Sequence, residues 1–175
     1  GKISLTPTDD QAYSLNYARG WGEIRPMDFK SKVYSAEAKR IFDRTTLYSE
    51  VAYDEDAIAY TLRDEYKADD WRMSWKFRDL DKNFYTITGP PSGQGEVGGQ
   101  VSFQWGREKL LLDSFLDIYR NRGNLNPAHP DALNVDFTTG TSIPLGETAS
   151  WRTAFYFTDT PGYPITRRDT RLGNT

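Results

Sequence analysis

The chain has 175 residues with 22 basic and 25 acidic side chains, a formal net charge of −3. That length suffices for one domain with a real core, and the charge balance carries no basic excess of the kind nucleic acid requires. Cysteine is absent and histidine occurs once, which excludes a disulfide framework, a thiolate metal site and a cysteine nucleophile.

No apolar run approaches the roughly 18–20 residues of a membrane helix. The opening Gly1-Lys2-Ile3-Ser4-Leu5 lacks the apolar stretch of a signal peptide. Aromatic residues make up 14% of a chain that is only 37% hydrophobic. The periodicity accounts for them.

From the N-terminus, Tyr13, Leu15 and Tyr17 alternate with polar neighbours, as in a strand with one apolar face. Lys32–Phe42 is ambiguous: Ser35-Ala36-Glu37-Ala38-Lys39-Arg40 has helical propensity, so a strand edge or a short helical turn is expected. Leu47, Val51 and Tyr53 form the next apolar face. The polar Asp54-Glu55-Asp56 then reads as a hairpin turn. Ile58, Tyr60 and Leu62 alternate with Ala59, Thr61 and Arg63, with Glu65 continuing the polar side. A second polar turn follows at Lys67-Ala68-Asp69-Asp70.

The clearest alternation is Trp71–Arg78. Trp71, Met73, Trp75 and Phe77 point one way; Arg72, Ser74, Lys76 and Arg78 point the other. Thr88–Gly95 is a longer connection, which Pro90 and Pro91 keep out of any central strand. In Val97–Trp105, the residues Val97, Gly99, Val101, Phe103 and Trp105 share a face. After the turn Gly106–Lys109, Leu110, Leu112, Leu116 and Ile118 face away from Asp113 and Asp117. Asn121–Asp131 is a long loop. Leu133, Val135 and Phe137 then alternate with Asn134 and Asp136. Thr141–Glu147 makes an intermediate turn, and Trp151, Phe155 and Phe157 alternate with Arg152. The long connections thus fall at one end of a meander and the shorter turns at the other. The expectation is an all-β chain: one domain over 1–175, an antiparallel up-and-down meander of roughly 8–10 strands.

The hairpin from Leu133–Gly140 through Ser142–Gly146 to Ala149–Phe157 resembles those of Gram-negative outer-membrane β-barrel proteins. The resemblance covers roughly residues 95–160 well and the first half less well. It implies a transmembrane β-barrel, or part of one, in the bacterial outer membrane, acting as a porin-like pore, a transporter wall or a structural scaffold. Trp71, Met73, Trp75, Phe77, Val101, Phe103, Trp105, Leu110, Leu112, Leu116, Ile118, Leu133, Val135, Phe137, Trp151, Phe155 and Phe157 would then face lipid. Arg63, Glu65, Arg72, Lys76, Arg78, Asp113, Asp117, Asp136 and Arg152 would line the lumen. Trp71, Trp105, Trp151 and Tyr53, near strand ends, suit the membrane–water interface. The partners implied are the lipid bilayer, other envelope proteins, and strands of the same chain outside this segment. Such proteins commonly end on a strand with a terminal aromatic residue, whereas this chain ends Arg171-Leu172-Gly173-Asn174-Thr175 and starts abruptly. Both features point to a fragment of a longer barrel.

Alternation serves equally for a soluble β-sandwich, whose core would take the apolar residues and whose solvent face the charged ones. A periplasmic or secreted carbohydrate-binding module would use Trp21, Tyr34, Tyr85 and Tyr163 as sugar platforms. No enzyme is expected. Glu50, Glu65, Asp113 and Asp117 are carboxylates that nothing pairs as a glycosidase needs. His129, flanked by prolines in a loop, reads as solvated. Gly93–Gly99 lacks the helix a phosphate loop needs. Asp54-Glu55-Asp56, Asp69-Asp70 and Asp79-Leu80-Asp81 offer oxygen ligands but lack calcium-loop spacing. No cofactor, metal or nucleic acid is expected.

Overall fold

A computed structural model describes residues 1–24, 27–86, 91–107, 110–121, 132–145, 149–159 and 165–174, the side chains of 21–31 and 165–174 excepted. All regular structure is β. Strands β1 (Lys2–Thr8), β2 (Gln11–Ile24), β3 (Met27–Phe42), β4 (Thr45–Tyr53), β5 (Ile58–Lys67) and β6 (Trp71–Leu80) are followed by β7 (Glu96–Arg107), β8 (Leu110–Asn121), β9 (Leu133–Pro144), β10 (Ala149–Asp159) and β11 (Ile165–Asn174). They form one sheet in chain order, each strand hydrogen-bonded antiparallel to the next. The expected up-and-down meander is present. With 11 strands it is longer than the alternation alone reveals, because β1, β3 and β11 join it. The sheet is open: β1 and β11 are its edges, and the described residues do not pair them.

The ambiguous stretch Lys32–Phe42 is neither a sheet edge nor a helical turn. It lies in β3, paired with β2 on one side and β4 on the other. Ala36, Glu37, Ala38 and Lys39 are paired in both ladders, so the neighbouring strands override their helical propensity.

The connections alternate between two ends of the sheet. At one end they are residues 9–10, 43–44, 68–70, 108–109 and 145–148; at the other, 25–26, 54–57, 81–95, 122–132 and 160–164. One end therefore carries only turns of two to four residues, and the other carries connections of up to 15. Asp43 opens its two-residue turn with φ 50°, a left-handed conformation that aspartate tolerates better than most residues. Asp54 caps the next turn: its Oδ1 accepts the Asp56 and Ala57 amides at 3.3 and 3.0 Å.

Candidate functional site: the two faces of the sheet

Register decides which side chains share a face. Trp71 pairs with Trp105, Met73 with Phe103 and Trp75 with Val101. The rows continue from Trp105 to Leu112, from Val101 to Leu116 and on to Phe137 and Phe157. In the other direction, Leu62 pairs with Phe77 and Val51 with Tyr60, and Tyr17, Tyr34 and Tyr53 form one cross-strand row. The whole apolar set, from Ile3 and Leu5 of β1 to Trp151, Phe155 and Phe157 of β10, therefore forms one continuous surface, with Leu110, Ile118, Leu133 and Val135 in it. Arg63, Glu65, Arg72, Lys76, Arg78, Asp113, Asp117, Asp136 and Arg152 all lie on the opposite face.

Among the described strand residues full burial is confined to the polar face, although Arg63, Arg72 and Arg152 on that face stay exposed. The buried strand residues Ala52, Ala59, Arg78, Leu80, Asn134 and Ala154 all occupy polar-face positions. The apolar face stays open: Leu15 is 64% exposed, Val101 40% and Trp71 37%, against 5% for Arg78. A face of this extent exceeds the few hundred Å² of contiguous apolar surface that soluble monomers tolerate.

Several polar groups on the apolar face are matched or peripheral. Ser114 Oγ and Thr139 Oγ1 satisfy each other at 2.9 Å. Asp64, mid-strand in β5, accepts the Trp75 indole N–H on Oδ2 at 3.0 Å, while its buried Oδ1 has no hydrogen-bond partner within the protein. Arg40, Asp79, Arg107, Arg120 and Asp159 sit toward strand ends, where long side chains can reach water.

Aromatic rings gather toward both ends of this face. Toward the short-turn end are Phe42, Tyr66, Trp71, Trp105 and Trp151; Tyr66 and Trp71 stack at 4.8 Å and Trp71 lies 6.0 Å from Phe103. Toward the other end Tyr17 and Tyr34 meet at 5.0 Å, with Tyr53 next in the row. From Tyr34 to Phe42 the strand rises about 27 Å at ~3.4 Å per residue. At the ~40° tilt that strands take in a closed barrel, that rise would span roughly 20 Å.

The polar face is built around Arg78. Its guanidinium reaches across β7 to hold Asp117 bidentately at 3.0 Å through both terminal nitrogens, while Nε donates to Glu96 at 2.7 Å. The Arg78 and Asp117 side chains are 6% and 13% exposed. Such a crossing needs an empty position in between, and Gly98 supplies it: it pairs with Arg78 on one side and Tyr119 on the other. The Tyr119 ring lies 5.1 Å from the guanidinium carbon, a cation–π contact. A β-carbon at Gly98 would fall 2.3 Å from the Ile118 carbonyl oxygen and 2.5 Å from Tyr119 Cα. Gly98→Ala is therefore expected to destabilise the fold by about 1–3 kcal/mol through overpacking against backbone. Reversible unfolding in urea checks this; an unchanged midpoint would refute the close approach.

The rest of the polar face is a hydrogen-bonded ladder. Lys2 and Asn16 both donate to Glu37, at 3.1 and 2.7 Å. Ser74 and Ser102 meet at 2.8 Å, Arg72 donates to Gln104, and Arg63 pairs with Glu65. Of the four carboxylates weighed for glycosidase chemistry, Asp117 spends both oxygens on Arg78 and Glu65 is held by Arg63, while Glu50 sits four strands from Asp113. The acidic clusters do structural work: Asp54 and Asp81 accept turn amides, and Asp69 lies 3.7 Å from Arg44. Among the described residues no three metal-ligating side chains converge.

Of the sugar-platform candidates, Tyr34 is in the apolar face and Tyr85 is in the β6–β7 connection. The Trp21 side chain, Tyr163 and His129 lie outside the described residues. Reading from sequence missed Phe84, which is 4% exposed and packs against Ala52, Ala57, Ala59 and Leu80. Comparison with protein-family models, curated proteins and solved structures finds no match, so the physical character of the two faces carries the functional reading.

Proposed function

We propose that this chain is the wall of an outer-membrane β-barrel, serving as pore, transporter wall or structural scaffold, with its apolar face in lipid and its polar face lining the lumen. The observation that carries this reading is where burial falls: the buried strand residues, Arg78 among them, all lie on the charged face, while large side chains of the aromatic face such as Leu15, Val101 and Trp71 are exposed. A soluble sandwich needs the reverse, with a second sheet over the apolar face, whereas the described strands all belong to one sheet. Aromatic residues toward both strand ends and the confinement of every connection longer than four residues to one end support the same reading. The short-turn end is then periplasmic. In lipid, the edge groups of β1 and β11 require pairing, by further strands of the chain or by a partner.

The direct test is extraction. The native protein is expected to stay with bacterial envelopes through alkaline carbonate washing and to enter solution only with detergent. Recovery as a detergent-free monomer by sedimentation would overturn the assignment.

A further inference from the structure

We propose that the polar-face cleft where β5, β6 and β7 meet, near the short-turn end, binds an oxyanion: the phosphate group of a small solute. Register carries the inference. Arg63 stands directly opposite Lys76, and Lys67 directly opposite Arg72. Like charges so placed repel and weaken a sheet. Glu65 and Ser74 oppose each other between the two basic pairs. Arg72, Ser74 and Lys76 therefore follow one another along the same face of β6, in steps of about 7 Å. Acidic pairs on this face are answered from within the chain. Glu37 opposes Glu50 and takes hydrogen bonds from Lys2 and Asn16; Asp117 opposes Asp136 and is held by Arg78. The four basic residues have Glu65 between them, held by Arg63. Lys67, Arg72 and Lys76 form no ion pair among the described residues.

This surplus of positive charge surrounds a cleft of about 410 Å³, within the size range of small-molecule sites. Arg63, Lys67, Arg72, Ser74, Ser102 and Gln104 line it, and Glu65 is the one carboxylate in its wall. Asp69 and Asp70 stand in the β5–β6 turn beside it, Asp69 against Arg44 at 3.7 Å. Asp113 and Asp117 lie on β8, two strands from β6. Arg72 Nε donates to Gln104, which fixes the guanidinium plane and leaves the terminal nitrogens for a ligand. Ser74 and Ser102 share one hydrogen bond at 2.8 Å, so one of their two hydroxyl protons is left to donate. A tetrahedral dianion accepts from a forked guanidinium and a hydroxyl together, and its charge offsets the repulsion within both basic pairs. The site is independent of what covers the apolar face.

The test is isothermal titration calorimetry of the full-length protein in detergent at low ionic strength, with inorganic phosphate as the probe. One saturable site per chain is expected. Arg72→Gln should weaken it at least about ten-fold, the loss of a charged hydrogen-bond donor. Arg72→Lys should lose less, because it keeps the charge without the fork. Glu65→Gln should tighten binding, since it removes the carboxylate from the cleft wall. Lys82→Gln removes an equal charge from the β6–β7 connection, at the other end of the sheet, and should leave affinity within about two-fold, because salt screens charge at that distance. Absence of saturable binding, or equal weakening by Lys82→Gln and Arg72→Gln, would overturn the site. Neither outcome touches the membrane reading, which extraction tests separately.

Discussion

Val101→Arg is expected to cost roughly 2–4 kcal/mol of folding free energy in lipid vesicles, the penalty for a cation at the midplane of a membrane barrel. Gln100→Arg, one residue earlier, should be tolerated. The contrast follows from the pleat. Val101 lies between Trp75 and Leu116 on the open apolar face; Gln100 lies between Lys76 and Asp117 on the polar one. Folding titrations in denaturant, followed by the mobility shift of folded barrels on gels, give both numbers. A soluble sandwich would also suffer from an arginine in its core, so the substitution alone does not separate the readings. Spin labels do. On Val101→Cys in the otherwise cysteine-free chain, a nitroxide should be reached by lipid-soluble oxygen and hidden from a water-soluble relaxation agent. On Gln100→Cys the preference should reverse. A label at position 101 closed to both agents would mean a packed protein core, and the membrane reading would fall.

This contrast also marks where sequence reasoning stops. The period-two pattern of Trp71–Arg78 needs no structure to assign, because alternating large apolar and charged side chains fit only a strand with unlike faces. Which face is enclosed is another matter. It depends on how all eleven strands sit together, and no window of residues contains that information. The strand β3 escaped for a related reason. Ala36, Glu37 and Ala38 favour helix locally, and only the ladders to β2 and β4 outweigh them. The prolines at 90 and 91 marked a long connection, but its seat on the polar face hangs on Phe84 meeting Ala52 and Ala59, residues 32 and 25 positions earlier in the chain. Nothing about an isolated phenylalanine among Lys82, Asn83 and Tyr85 signals such a seat. That Gly98 clears the way for Arg78 to reach Asp117 emerges only from the register.

Arg78→Ala should be the most damaging single change on the polar face, costing about 3–5 kcal/mol, the range seen when one member of a buried ion pair is removed. The guanidinium makes three short contacts, with Asp117 through two parallel bonds and with Glu96 through the third. Taking it away strands two carboxylates that are 13% and 17% exposed. The charge left behind sets the size of the effect, and that gives a sharper expectation than destabilisation alone. Arg78→Met combined with Asp117→Asn and Glu96→Gln should recover much of the loss, because it removes the unpaired charges along with the pair. Arg78→Lys should fall between wild type and alanine: it restores a positive charge but cannot hold a carboxylate with two parallel bonds. The same variants act on the β6–β7 connection, which Phe84 seats near its start and Glu96 returns to the sheet at its end. Freed of Arg78 but still seated by Phe84 on the polar face, the connection should keep that seat while its exit loosens. Proteolysis should therefore cut near Gly93–Gly95 in Arg78→Ala and spare the stretch around Phe84. Chemical unfolding of the wild type and the three variants tests the energetic order. Triple and single variants that lose stability equally would show that the arginine acts by packing rather than by neutralising its partners.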